Sequence, residues 1–146
     1  MGKVGEELLK PETAVYTAKT HTRGGREDGM SRSSDGRLDV KFSVPGSARI
    51  GTNPEQLLAA GWSASLESSI GLVAHKKKIA LAAGVVIEAE IDLASTDSGY
   101  LLRARLNIHL PGVEREVAQI LSDEAHQICP YSRATRGNID VAINLV

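Results

Sequence analysis

The chain has 146 residues, 42% of them apolar, and a formal net charge of −1, the size and balance of one soluble domain with no basic footprint for nucleic acid. No uninterrupted apolar run reaches the roughly 18 residues of a membrane span, so neither nucleic acid nor a membrane is expected as a partner. The start, MGKVGEELLKPE, lacks the apolar core of a secretion signal. The lone cysteine, Cys129, excludes an intrachain disulfide. Together these point to the cytoplasm.

Residues 1–12 are polar and read as an N-terminal arm, with residues 13–146 as a single domain. Residues 13–22 alternate loosely through Thr13, Val15, Thr17, Thr20 and Thr22 and predict a strand. A polar stretch, GGREDGMSRSSDG, follows at 24–36 and reads as a loop. Leu38, Val40 and Phe42 then share one face of a second strand, so the two strands suggest a hairpin with a long tip.

At Gly51-Thr52-Asn53-Pro54-Glu55 a helix begins. Thr52 or Asn53 caps it, Pro54 suits its first turn, and Glu55 sits at the positive end of its dipole. Residues 57–74 are apolar or small on almost every face, which predicts a helix buried on most sides. The cations of His75-Lys76-Lys77-Lys78 mark its end. Two strands are expected at 85–93 and 100–110. In the first, Glu88, Glu90 and Asp92 alternate with Ile87, Ala89 and Ile91, so one face meets water. Val113, Val117, Ile120, Leu121 and Ile128 form one stripe of a second helix ending near Cys129-Pro130, and residues 139–146 close the chain as a strand. The order is ββαββαβ, an α+β pattern.

Two segments carry the chemistry, TNPEQLLAAGWSAS at 52–65 and HQICPYSRATRGNIDVAI at 126–143. With YTAKTHTRGGREDGMSRSSDGRLDVKFS at 16–43, they resemble the organic hydroperoxide resistance proteins of the OsmC group. The long CPYSxATRGNIDV match and the NPEQL spelling favour the hydroperoxide branch over the OsmC branch. The resemblance implies an OsmC-like α+β fold whose strands cross-pair around buried central helices in an intertwined homodimer. It implies reduction of organic (lipid or alkyl) hydroperoxides by a thiol mechanism, with dihydrolipoamide or a lipoylated protein as reductant and neither cofactor nor metal. In the family's AAG[YW][SA]AC pattern the last position holds the attacking cysteine; here it is Ser65. By the same correspondence Cys129 is the resolving cysteine, Arg26 the arginine after the Gly-Gly pair, and Glu55 the glutamate that holds it.

The chemistry makes sense of such a set. A thiolate attacks the O–O bond, and desolvation in an apolar helix opposes its formation. A nearby guanidinium reverses that penalty, and a carboxylate can hold the guanidinium by a bidentate pair. Attack yields a sulfenic acid, which a second thiol converts to a disulfide. A serine hydroxyl is scarcely ionised and attacks peroxide poorly, so the chain as written is expected to be inactive. Undamaged neighbouring motifs favour a deliberate Cys→Ser change over a natural paralogue that lost the chemistry. The alternative function is a non-catalytic binder of a hydroperoxide, fatty acid or lipoyl group. Taken alone, Ser65 reads as a packing residue bonded back to a carbonyl, Cys129 as an inert buried thiol, and Arg26 and Glu55 as surface charges.

Overall fold

The structure is a computed structural model and describes residues 13–82 and 84–146; the expected arm at 1–12 lies outside them. It is the mixed α+β architecture expected, in two compact units that meet at Gly51 and Thr52.

The first unit carries strands β1 (Thr20–Arg23), β2 (Met30–Ser33) and β3 (Asp39–Lys41), with a four-residue helix α1 (Gly25–Asp28) between the first two. The sheet order is β1-β2-β3, antiparallel throughout. Two expectations change. The first strand begins only at Thr20, so residues 13–19 are not strand. The stretch at 24–36 is not a plain loop: it contains α1 and the central strand, which separates the two strands expected to pair. The sequence of β2, MSRS, has no apolar alternation to announce it. Polar cross-strand contacts hold it, among them a Thr22–Ser31 hydroxyl contact of 2.8 Å and an Arg32–Asp39 ion pair of 2.9 Å.

The second unit is built on α2 (Pro54–Lys76), followed by β4 (Val86–Thr96), β5 (Gly99–His109), α3 (Arg115–Ile128), α4 (Pro130–Thr135) and β6 (Asp140–Leu145). The short α4 was not expected. Asn53 supplies the cap of α2, its side chain accepting from the Gln56 N–H at 2.9 Å. The sheet order is β4-β5-β6, β4 and β5 antiparallel, β5 and β6 parallel. Ala104, Leu106 and Ile108 of β5 are buried, while Arg103, Arg105 and Asn107 line the other face. There Asp92 accepts both guanidinium N–H groups of Arg105 at 2.8 Å. That pairing holds the Asp92 carboxyl down at about 2.

Trp62, Leu66, Ile70 and Val73 of α2 form the core with the inward side chains of β5 and with Ala118, Leu121 and Ala125 of α3. Their spacing is that of one helical stripe. The helix expected to be buried on most sides is therefore covered on one side within the chain. Ala60, Ala64, Ser68, Gly71 and Leu72 face outward, Leu72 being 48% exposed. The membrane argument also needs adjusting, since α2 is long and apolar enough to span by length and composition, with a mean hydropathy of 1.3. Its Trp62–Val73 stripe, however, packs in a protein core. Of the stripe expected for α3, Leu121 is buried and Val113 and Val117 pack against the core, but Ile120 and Ile128 are exposed, and Ala118, Ser122 and Ala125 complete the buried stripe.

Candidate active site

The side chain at position 65 projects from the middle of α2, where the alternation of serine and alanine gives no hint of which hydroxyl has a task. The hydrogen bonds separate them. Ser63 donates back to the Ala59 carbonyl at 2.7 Å and Ser69 to the Ser65 carbonyl at 3.0 Å, the usual use of a helical serine. The Ser65 hydroxyl instead accepts a contact from the Cys129 thiol, Sγ to Oγ 3.7 Å. Cys129 is fully buried, whereas Ser65 is half-buried.

Cys129 is both the last cap of α3 and the first cap of α4, with an extended backbone (φ −59, ψ 124). The following proline imposes that conformation, because its ring disfavours helical geometry in the residue before it. The bend is still fully bonded: the Cys129 N–H donates to the Ala125 carbonyl at 2.8 Å, and the Arg133 N–H to the Cys129 carbonyl at 2.9 Å. Residues 129–132 then lie along α2 in three matched contacts. Cys129 meets Ser65, Ser132 accepts from the Trp62 indole N–H at 3.2 Å in a buried bond, and Tyr131 lies over Gly61. Trp62 and Ser132 are both fully buried, so this bond satisfies two groups that burial would otherwise penalise. The sequence at 57–74 reads as apolar or small on almost every face and does not single out this clamp. A glycine inside an otherwise apolar helix was its available signal.

Glu55 is half-buried in the first turn of α2. It lies ten residues before Ser65, about 15 Å along the helix axis, too far for its carboxylate to touch position 65 from the same helix. Arg26 is an exposed residue of α1 in the first unit. Its turn is set by close backbone approach. Gly24 takes φ +83, and a Cβ on Gly29 would collide with the carbonyls of Gly25 and Arg23. Arg49, not singled out from the sequence, donates to the Asp28 carbonyl at 3.0 Å and the Phe42 carbonyl at 2.9 Å, tying the end of α1 to the strand beyond. The structure thus joins Ser65 to Cys129 and sets Glu55 and Arg26 each in a defined local frame.

One turn before Cys129, His126 is held with its imidazole below the usual range, first by burial and then by the Arg136 guanidinium. Its Nδ1 and the Ser122 hydroxyl are buried polar atoms without a hydrogen-bond partner among the described residues.

Comparison with known proteins identifies this arrangement. Residues 45–144 match the model of the OsmC-like protein family. The chain belongs to this family. It is 42% identical over 142 residues to the organic hydroperoxide resistance protein of Xanthomonas axonopodis pv. citri, covering 94% of this chain and 99% of that one. Its fold superposes on the crystal structure of the organic hydroperoxide resistance protein OhrB of Bacillus subtilis with a TM-score of 0.85 at 40% identity, covering 91% of this chain and all of that one. A putative organic hydroperoxide resistance protein of Vibrio cholerae, crystallised with captopril in one of its active sites, superposes with a TM-score of 0.85 at 34% identity, covering 93% of this chain and 95% of that one. The expected OsmC-like α+β fold and the family both hold.

Proposed function

We propose that this chain is the scaffold of a thiol-dependent peroxidase for organic hydroperoxides, working in the cytoplasm, with its first step removed by Ser65. The contact that carries the reading is Cys129 Sγ at 3.7 Å from Ser65 Oγ. With cysteine at 65, its thiolate attacks the terminal peroxide oxygen, the O–O bond breaks, and the alkoxide leaves and takes a proton to become the alcohol. The sulfur is then a sulfenic acid. Cys129 attacks that sulfur and displaces water, forming a 65–129 disulfide. A dithiol, dihydrolipoamide or a lipoylated protein, reduces it by exchange. Arg26, held by Glu55, stabilises the thiolate and the departing oxygen.

The 3.7 Å separation is van der Waals contact, and a disulfide needs the atoms at about 2.05 Å. Dimerisation belongs to the same reading: the outer face of α2 from Ala60 to Leu72, made of small residues and Leu72 around the single charge of Glu67, is what a second copy would cover. A clean monomer by sedimentation at micromolar protein would contradict that.

The decisive measurement is consumption of tert-butyl hydroperoxide with dihydrolipoamide by the chain and by its Ser65→Cys variant. We expect no turnover in the first and recovery by at least about 1,000-fold in the second, the scale of removing an enzyme's nucleophile. Equal rates would sink the reading. A variant that stays inactive while binding a fatty acid or lipoyl group would favour the non-catalytic binder, which the serine at 65 already leaves as the second reading.

A further inference from the structure

Gly61 sits in the interior of α2, where a glycine costs about 1 kcal/mol relative to alanine. Its backbone is ordinary helix, so no left-handed conformation requires it. Gly71, in the same helix, meets nothing within 4 Å, whereas a Cβ on Gly61 would stand 3.2 Å from the Tyr131 hydroxyl, 3.5 Å from Cζ and 3.6 Å from Cε1. Gly61 is therefore the seat of the Tyr131 ring. Helical side chains lean toward the N-terminus, so the side chain at 65 lies over the turn that begins at Gly61, with Cβ positions four residues apart only about 5–6 Å from each other. The phenol is 41% exposed and Cys129, two residues earlier, is not exposed at all. The ring stands at the open edge of the contact between 65 and 129.

We propose that Tyr131 is a specificity-determining residue of this site: its ring, seated on Gly61, is the wall against which the organic tail of a hydroperoxide packs as it reaches position 65. The inference rests on the peroxidase reading for its substrate but on Gly61 and Tyr131 for its geometry. A tail that carries an aromatic or branched group gains from the wall, and hydrogen peroxide, which has no tail, does not.

The test uses the full chain carrying Ser65→Cys. Adding Tyr131→Ala lowers kcat/KM for cumene hydroperoxide relative to hydrogen peroxide by about fivefold, the scale of one lost aromatic contact, and the loss is in KM. Tyr131→Phe keeps the ring and most of the selectivity. Gly61→Ala displaces the hydroxyl and lowers selectivity, and Tyr131→Phe combined with Gly61→Ala restores it, because the remaining ring atoms at 3.5 and 3.6 Å accept a methyl. Selectivity unchanged in Tyr131→Ala, or no restoration in the double variant, overturns the proposal. In the same proteins, alkylation of the reduced Cys at 65 is followed by mass spectrometry with phenacyl bromide and iodoacetamide. The aromatic reagent's advantage falls in Tyr131→Ala. If Ser65→Cys shows no peroxide turnover but this ratio falls, the peroxidase reading fails and the wall stands; if turnover is present and neither ratio moves, the wall alone fails.

Discussion

Two turns bring residues of interest into place, and they are held in opposite ways. The turn at 24–29, which carries Arg26, depends on a missing side chain: Gly29 lets its backbone lie against the carbonyls of Gly25 and Arg23, and Arg49 ties its end at the Asp28 carbonyl. The turn at 129–132 is fixed by side chains, through Trp62 to Ser132, Tyr131 on Gly61 and Cys129 against Ser65. Their failure modes differ accordingly. Adding one methyl damages the first, and removing one aromatic ring damages the second.

The largest expected effect breaks the second turn. Trp62→Ala removes a fully buried indole and should cost about 3–5 kcal/mol, read as a lower urea midpoint. Because the clamp holds Cys129 against α2, the same variant should expose that thiol, and iodoacetamide labelling of native protein should rise. A Cys129 still protected in a folded Trp62→Ala chain would show that the indole does not hold the turn.

The first turn is broken from the other direction. Gly29→Ala should destabilise by about 2 kcal/mol or more, in the upper range of single substitutions, because backbone carbonyls and not flexible side-chain ends stand in the way. Gly36→Ala is its control. That residue has φ +74 but nothing within 4 Å of an added Cβ, so its cost should stay near the roughly 1 kcal/mol of left-handed backbone alone. Equal costs at 29 and 36 would mean that conformation, not close approach, governs both.

A gentler cut sharpens the side-chain clamp. Ser132→Ala leaves the Trp62 N–H buried without its acceptor and should cost about 1–3 kcal/mol, less than losing the ring. If Ser132→Ala matched Trp62→Ala, the hydrogen bond and not the packing would dominate.

How much of this was legible in the sequence follows from the same contrast. The long elements were readable because their patterns repeat: the apolar run and cap of α2, and the alternation Glu88-Ala89-Glu90-Ile91-Asp92 of β4. The central strand β2 was not, because MSRS is stabilised by its neighbours' hydroxyls and charges rather than by a buried face. The pairing of Ser65 with Cys129 came from the resemblance, since nothing in a run of serines marks one hydroxyl as different. Only the contact at 3.7 Å, set beside the back-bonded Ser63 and Ser69, does so. For α2, periodicity reports how many faces are apolar, not which of them a single chain covers: the Trp62–Val73 stripe is covered within the chain, and Ala60, Ala64 and Leu72 face outward.

The smallest expected effect is a pH dependence near the Cys129 turn. Burial, with the Arg136 guanidinium second, lowers the His126 pKa from its ordinary 6.5. A base with a depressed folded pKa binds fewer protons folded than unfolded, so stability rises with pH until the unfolded imidazole is neutral. The contribution is therefore complete above 6.5 and is lost as pH falls below that value toward the lower folded pKa. His126→Gln keeps a polar side chain that does not titrate, and should flatten this part of the curve. Asp92 separates in range, because its carboxyl, held at about 2 by Arg105, contributes stability that is lost only as pH falls below the ordinary carboxylate value of 3.8. Urea midpoints between pH 7 and 5 should thus fall in the parent chain and much less in His126→Gln. Parallel curves would place the acid sensitivity away from the helix end that leads into Cys129.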